Sequence, residues 1–351
     1  MKIAVVGATG AVGKELLKIL DQRGFKVTEL VPFASARSEG KPVMFRGQEY
    51  ACRVLKPGCF AGIQIAFFDA SDAISKEWVP EAVRAGAWAV DNSATFRLDS
   101  DVLLIVPEVN GELLDAKIES RKPLTERDRI LTGPNCSTVQ LVVALKPIHA
   151  RFGIKRVVVS TYQSASGAGA AAMDELAAQA QGHFTGQTVA PKAFVHQIAF
   201  NCIPQIGGFK DDGTTSEEQK IIAESRKLLG LPTLRVAATA VRVPTFGCHG
   251  ESVNVECERV VTVAEARDAL RAQPGLVLQD DPARSVYPMG LTPSNSDVEC
   301  ATGRDAVYVG RVRQDTSVDH GVAFWIVSDN LRKGAALNAV QIGEQLVRAL
   351  G

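Results

Sequence analysis

The chain of 351 residues has no apolar run near the ~20 residues that a membrane-crossing helix needs, so an integral membrane protein is not expected. It also lacks net charge. Lysine plus arginine and aspartate plus glutamate stand at 39 each, so no overall field draws the chain to nucleic acid or to an anionic surface. Only a local basic pocket for a small anion stays open. The seven cysteines, at positions 52, 59, 136, 202, 248, 257 and 300, are scattered and include no C-x-x-C pair. Neither a disulfide framework nor a zinc or other metal site is expected, and a reducing cytoplasm fits, with most thiols serving as small buried hydrophobes. There is no internal repeat and no low-complexity segment. A strand pattern starts at Lys2 and a glycine turn comes next at Gly7, which does not read as a signal peptide.

What is present is a rhythm. Ile3–Val6 reads as a strand and Val12–Gln22 as a helix, with strands again near Val27–Pro32, Ile65–Phe68, Ala87–Asp91 and Leu103–Pro107. Such alternation predicts α/β architecture, a parallel sheet wrapped by helices as in a Rossmann-type dinucleotide-binding domain. Beyond about residue 155 the strand-like runs Arg156–Tyr162, Leu234–Val243, Ser252–Val261, Ala306–Val312 and Ala323–Val327 have fewer helices between them. They predict a second, α+β domain with a mixed or antiparallel sheet. Asn330–Leu350 carries Leu331, Ala335, Leu337, Ile342 and Leu346 at helical spacing, which predicts one long helix returning to the first domain. The expected division is therefore 1–131 completed by 330–351, and 132–329. The charged stretch Lys117–Arg129 reads as a solvated excursion.

Gly7, Gly10 and Gly13 lie between the first strand and the first helix, with Thr9, Ala11 and Val12 among them. Glycines there let the backbone turn tightly and approach a pyrophosphate seated on the helix N-terminus. The spacing is G-x-x-G-x-x-G rather than G-x-G-x-x-G, and a plain glycine-rich turn is the competing reading. Glu29 falls near the count at which NAD enzymes offer a ribose-binding carboxylate, but within the second strand rather than at its end. Just beyond that strand come Ser35, Arg37 and Ser38, two hydroxyls around a guanidinium, which suits the 2′-phosphate of NADP. An ordinary loop arginine is the alternative. Lys14 reads as a solvated helix residue.

Cys136 comes directly after Gly133-Pro-Asn135 and falls at or next to the N-terminus of an apolar helix, Val139–Ala150. A helix N-terminus stabilises a thiolate and makes it nucleophilic at neutral pH. Of the five histidines, His149 lies late in that same helix, whereas His249 sits where one strand ends in a turn and another begins. His249 is the candidate acid–base residue, with a satisfied core histidine as its alternative. Arg242, on the preceding strand, could hold a carboxylate bidentately or belong to a structural ion pair.

Gly7–Gly13, Ala34–Ser38, Gly133–Thr138, Thr161–Gly169, Arg242–Glu251 and Asp329–Glu344 together, in this order, resemble the aspartate-semialdehyde dehydrogenase family over nearly the whole chain. The resemblance implies an NADP-dependent oxidoreductase that forms L-aspartate-4-semialdehyde from L-aspartyl-4-phosphate through a cysteine thioester, in lysine, threonine and methionine biosynthesis. It implies Cys136 as nucleophile, His249 as acid–base residue and Gln163 as the group orienting the acyl moiety. Arg242 would grip the α-carboxylate, Glu217 would lie near the amino group, and Arg97 and Lys220 would bind phosphate. Ser166, Gly167 and Asn330 would contact the nicotinamide half of NADP. A homodimer formed through the second domain is also implied. Lys117–Arg129 is longer than the family's usual connection, and the segment 287–302 is looser than its pattern. N-acetylglutamyl-phosphate reductase is the nearest rival reading, and a non-catalytic NADP-binding sensor is a rival from another class.

Overall fold

The computed structural model describes residues 1–120, 122–292 and 298–350, so part of the 287–302 segment, residue 121 and the last residue of the expected C-terminal helix lie outside the described residues. The chain divides into two compact units, Met1–Asn135 with Ala335–Gly351, and Cys136–Gly334. The dividing points fall a few residues later than the sequence suggests. The Gly133 amide donates to Asp91 of the first sheet, and the Asp329 side chain caps the Leu331 and Arg332 amides of the second unit.

The first unit contains β1 (Lys2–Val6), α1 (Ala11–Gln22), β2 (Glu29–Phe33), β3 (Pro42–Phe45), β4 (Gln48–Ala51), β5 (Ile65–Phe68), α2 (Asp72–Arg84), β6 (Trp88–Asp91), β7 (Leu103–Leu104), α3 (Pro107–Asn110), α4 (Glu112–Glu119) and β8 (Ile130–Thr132). Its main sheet runs β2-β1-β5-β6-β8-β7 and is parallel throughout. Alternate β1 side chains explain the layering. Ile3 and Val5 join the cluster that includes Leu16, Leu20, Leu337 and Ile342, while Ala4 and Val6 join Val79 and Val83. Both faces are thus covered, as parallel strands require. The hairpin β3–β4 is not anticipated by the sequence pattern. Its turn residues Arg46 and Gly47 both take positive φ, a primed turn without the usual Asn-Gly signal. The 117–129 stretch is more than wet surface: Lys117 pairs with Asp128, and Arg127 pairs with Asp99 and Asp101.

The second unit contains α5 (Cys136–Phe152), β9 (Ile154–Gln163), α6 (Ala170–Thr185), α7 (Ser216–Leu229), β10 (Arg235–Arg242), β11 (His249–Cys257), α8 (Val263–Ala272), β12 (Leu276–Leu278), β13 (Val307–Asp315) and β14 (Gly321–Ser328). Its sheet runs β10-β9-β11-β14-β13-β12 and is mixed, with β9 parallel to β10 and antiparallel to β11. The strand expected over Ser252–Val261 begins earlier, at His249, because Cys248 turns the chain with a φ of 64°. It ends at Cys257, after which Glu258 and Arg259 donate to the end of α5. α5 packs its buried Val139, Leu141, Val142 and Leu145 over one face of this sheet. The C-terminal stretch is not one helix. A π-helical turn at Arg332–Ala336 precedes α9 (Leu337–Leu350), which packs in the first unit. Of the seven thiols, Cys52, Cys248 and Cys257 are buried, Cys59, Cys136 and Cys300 are partly exposed, and Cys202 is exposed. Among the described residues no helix is long and apolar enough to cross a membrane.

Candidate active site

In the second unit three strand ends meet in register. Gln163, the last residue of β9, has Arg242 of β10 on one side and His249 of β11 on the other, with Ser328 of β14 opposite His249. All three of these candidate side chains are buried. His249 is held from behind: the Ser164 amide donates to Nδ1 at 3.1 Å, and Ser164 Oγ lies 3.2 Å from the same atom. A neutral ring with Nδ1 accepting carries its proton on Nε2. Burial, and after it the Arg242 guanidinium, pull the imidazole down to about 3, so the ring is neutral. Among the described residues Nε2 has no hydrogen-bond partner, and it faces Gly167, where a Cβ would stand 3.2 Å from it and 2.9 Å from Arg242 Nη1. A side chain at 167 would therefore occupy the space in front of both groups.

Arg242 donates to the Ser164 carbonyl at 2.6 Å, with its guanidinium carbon 5.9 Å from the centre of the Phe194 ring. Burial lowers its pKa, and the Cys136 and Glu217 groups oppose that shift, so both lie within electrostatic reach of the guanidinium. Glu217 is buried in the first turn of α7. A capping box between Thr215 and Glu218 fixes that turn, and Glu218 also accepts from the Ala240 amide of β10 at 2.9 Å. Glu217 Oε1 lies 3.4 Å from Gln163 Nε2, and Oε2 lies 3.4 Å from Nζ of the partly exposed Lys220. Ser166 and Asn330 form a further buried pair, Asn330 Nδ2 donating to Ser166 Oγ at 3.0 Å, with Ser164 Oγ donating to Asn330 Oδ1 at 3.2 Å.

Cys136 is the first residue of α5 and is partly exposed. Gly334 packs against it so closely that a Cβ there would stand 2.9 Å from Cys136 Cβ and 3.2 Å from its Cα. The thiol thus sits at the positive end of a helix dipole, near a buried guanidinium, two influences that favour a thiolate.

In the first unit Gly7 takes a φ of 87°, and a Cβ on it would meet the Asp69 carbonyl oxygen at 2.0 Å. Gly10 is the N-cap of α1 without a side-chain cap, which leaves the first-turn amides open to an anion. These features fit a dinucleotide pyrophosphate. Glu29 does not serve the ribose: it opens β2 at the end remote from Gly7 and pairs with Lys2 at 2.9 Å. Beyond the other end of β2, Ser35 and Arg37 are exposed and Ser38 half-buried. A cavity of about 600 Å³ lies beside them, lined by Phe33, Gly40, Arg53 and Lys56 among others. Arg97 is buried in this unit and donates to the Asn92 carbonyl at 2.6 Å.

Two family descriptions match the chain: "Semialdehyde dehydrogenase, NAD binding domain" over residues 2–117, and "Semialdehyde dehydrogenase, dimerisation domain" over 145–333. An aspartate-semialdehyde dehydrogenase from Aquifex aeolicus is 48% identical over 99% of this chain and 98% of its own length. The chain belongs to the aspartate-semialdehyde dehydrogenase family. The Bacillus subtilis member is 44% identical over 99% of this chain and 97% of its own. The crystal structure of aspartate semialdehyde dehydrogenase II from Vibrio cholerae, complexed with ASA, is 43% identical and aligns with a TM-score of 0.90, covering 99% of this chain and 98% of that one. Family membership makes the chain an oxidoreductase with a nicotinamide dinucleotide-binding domain and a dimerisation domain.

Of the candidate residues, Cys136, Gln163, Glu217, Lys220, Arg242, His249, Ser166, Gly167 and Asn330 fall in the second unit, and Arg97 and the glycine loop in the first. Three residues packed beside the candidates or the glycine loop escape sequence reasoning. Ser164, which orients His249, and Gly334, which abuts Cys136, lie inside motifs already singled out, but only packing distinguishes them from their neighbours. The third, Asp69, carries a carboxyl pushed up to about 7 by burial, and it accepts from Asn92 Nδ2 at 2.6 Å. His149, set aside from the sequence, serves a structural end: its Nδ1 accepts from the Ile154 amide at 3.2 Å.

Proposed function

We propose that this chain reduces L-aspartyl-4-phosphate to L-aspartate-4-semialdehyde and phosphate with NADPH, through a thioester on Cys136. The observation that carries the reading is the row Arg242–Gln163–His249, with Glu217 and Cys136 within reach of Arg242. Arg242 is suited to a carboxylate, because a planar fork matches it bidentately, and Glu217 to an ammonium beside it. Together they describe an α-amino acid head group. Arg97 and Lys220 take the role of phosphate ligands, Gln163 that of orienting the acyl group, and Ser166, Gly167 and Asn330 that of lining the nicotinamide.

The Cys136 thiolate adds to the acyl carbonyl and the C–O bond to phosphate breaks, leaving the thioester. A nicotinamide held beside Ser166, Gly167 and Asn330 would supply the hydride that reduces the thioester. His249, neutral with its proton on Nε2, donates a hydrogen bond to the oxygen that gains charge, and that oxyanion re-forms a carbonyl as the C–S bond breaks and the thiolate returns. A donor aimed at such an oxyanion is worth about 10²–10³ in rate. Ser35, Arg37 and Ser38 favour NADP over NAD through the 2′-phosphate. The face of the second sheet opposite α5 carries Tyr162 and Trp325, their rings 5.3 Å apart, over an apolar cavity of about 770 Å³. It suits the homodimer contact, and free thiols suit a reducing cytoplasm.

The test is phosphate-dependent NADP reduction with aspartate semialdehyde, beside N-acetylglutamate semialdehyde and beside a Cys136→Ser variant. Turnover of the first substrate alone, lost in Cys136→Ser while NADP binding persists, is expected. Preference for the acetylated substrate, or an active Cys136→Ser protein, would overturn the reading.

A further inference from the structure

Behind the nucleophile lies a buried carboxyl that the mechanism above does not use. Glu251 is the third residue of β11 and shares His249's side of the strand, facing α5. It is fully buried, and among the described residues neither carboxyl oxygen has a hydrogen-bond partner of good geometry. Its cross-strand neighbours are Thr161 on β9 and Ile326 on β14, neither of which carries charge. From α5 the group that reaches it is the Gln140 amide. Gln140 is one helical turn beyond Cys136, and its Oε1 accepts from Ser328 Oγ at 2.6 Å; its Nε2, like the Glu251 oxygens, makes no hydrogen bond of good geometry among the described residues, so the two buried groups face each other as a loose pair.

We propose that Glu251 is a positioning residue for Cys136: through Gln140, and with Ser328, it anchors the first turns of α5 to the sheet beneath the thiol. This rests on Cys136 being the nucleophile. Burial pushes the Glu251 carboxyl up to about 8, against a smaller opposing effect of Gln140, so it is mainly neutral near pH 7. The nearest titratable groups along the two elements are His249, two residues earlier on its own strand and already neutral, and Cys136, one helical turn from Gln140 on α5. An ionised Glu251 would oppose a thiolate one helical turn and one side-chain contact away. At about 10 Å and an effective dielectric of about 20, two like charges interact strongly enough to change an equilibrium roughly tenfold.

The experiment tracks alkylation of Cys136 by iodoacetamide, read by peptide mass spectrometry, across the pH range around about 8 in wild type and Glu251→Gln. Glu251→Gln keeps the size and neutrality of the protonated acid. Below that pH the two proteins should alkylate alike; above it the variant should react roughly tenfold faster, because wild type acquires the opposing charge. Superimposable profiles would overturn the proposal. Gln140→Leu cuts the link while leaving Glu251 in place, and should lower kcat with the KM for NADP unchanged; a wild-type kcat would also overturn it. Loss of activity in Cys136→Ser tests the nucleophile separately, so failure of that reading is distinguishable from failure of this one.

Discussion

Gly334→Ala should disable catalysis while leaving cofactor binding nearly intact. The added Cβ would stand 2.9 Å from Cys136 Cβ, 3.2 Å from its Cα and 3.3 Å from its carbonyl oxygen. Carbon atoms in contact prefer about 3.5–4.0 Å, so the start of α5 must retreat by roughly 0.5 Å or more. The obstacle is backbone and Cβ, so no rotamer change at Cys136 relieves it. A misplacement of about 1 Å can cost about 10² in rate, and overpacking of this kind costs about 1–3 kcal/mol of stability. The assay is steady-state kcat and KM for the semialdehyde, with thermal unfolding and NADP binding as controls. A folded variant that binds NADP and keeps a wild-type kcat would refute the claim that this contact sets the thiol's position.

Arg37→Ala should raise the KM for NADP far more than that for NAD, and equal changes would remove the loop from cofactor choice. His249→Asn should slow turnover by roughly 10²–10⁴-fold. Because the folded imidazole sits at about 3 while the unfolded one titrates near 6.5, the unfolded chain alone gains a proton as pH falls between those values. Wild type should therefore lose stability on that descent, and the asparagine variant should lose less, as urea melts at stepped pH would reveal. Arg242→Lys should severely raise the KM for the semialdehyde, whereas Arg97→Lys should chiefly raise that for phosphate, each lost charge-assisted bond costing about 1.5–3 kcal/mol. An Arg242→Lys effect confined to phosphate would reverse the two assignments.

Much of this protein was determined locally. Buried parallel strands show as continuous apolar runs, so Ile3–Val6 and Ile65–Phe68 were legible, as was the glycine turn before α1. The helix start at the candidate nucleophile Cys136 was legible too, because a helix start after Gly-Pro-Asn is a property of neighbouring residues. The β3–β4 hairpin was not, since its Arg46-Gly47 turn lacks the common signal. Nor was the break before α9, whose apolar spacing continues through the π-helical turn at Arg332–Ala336. Only tertiary structure decided that Gln163, Arg242 and His249 would share one register, because residues distant in sequence become neighbours by strand pairing alone. The same holds for the environments that tune the site. Ser164 selects the His249 tautomer, Gly334 sets the place of Cys136, and burial keeps Glu251 neutral. Each depends on what packs against the residue, and a sequence records a residue's identity but not its neighbours across the sheet.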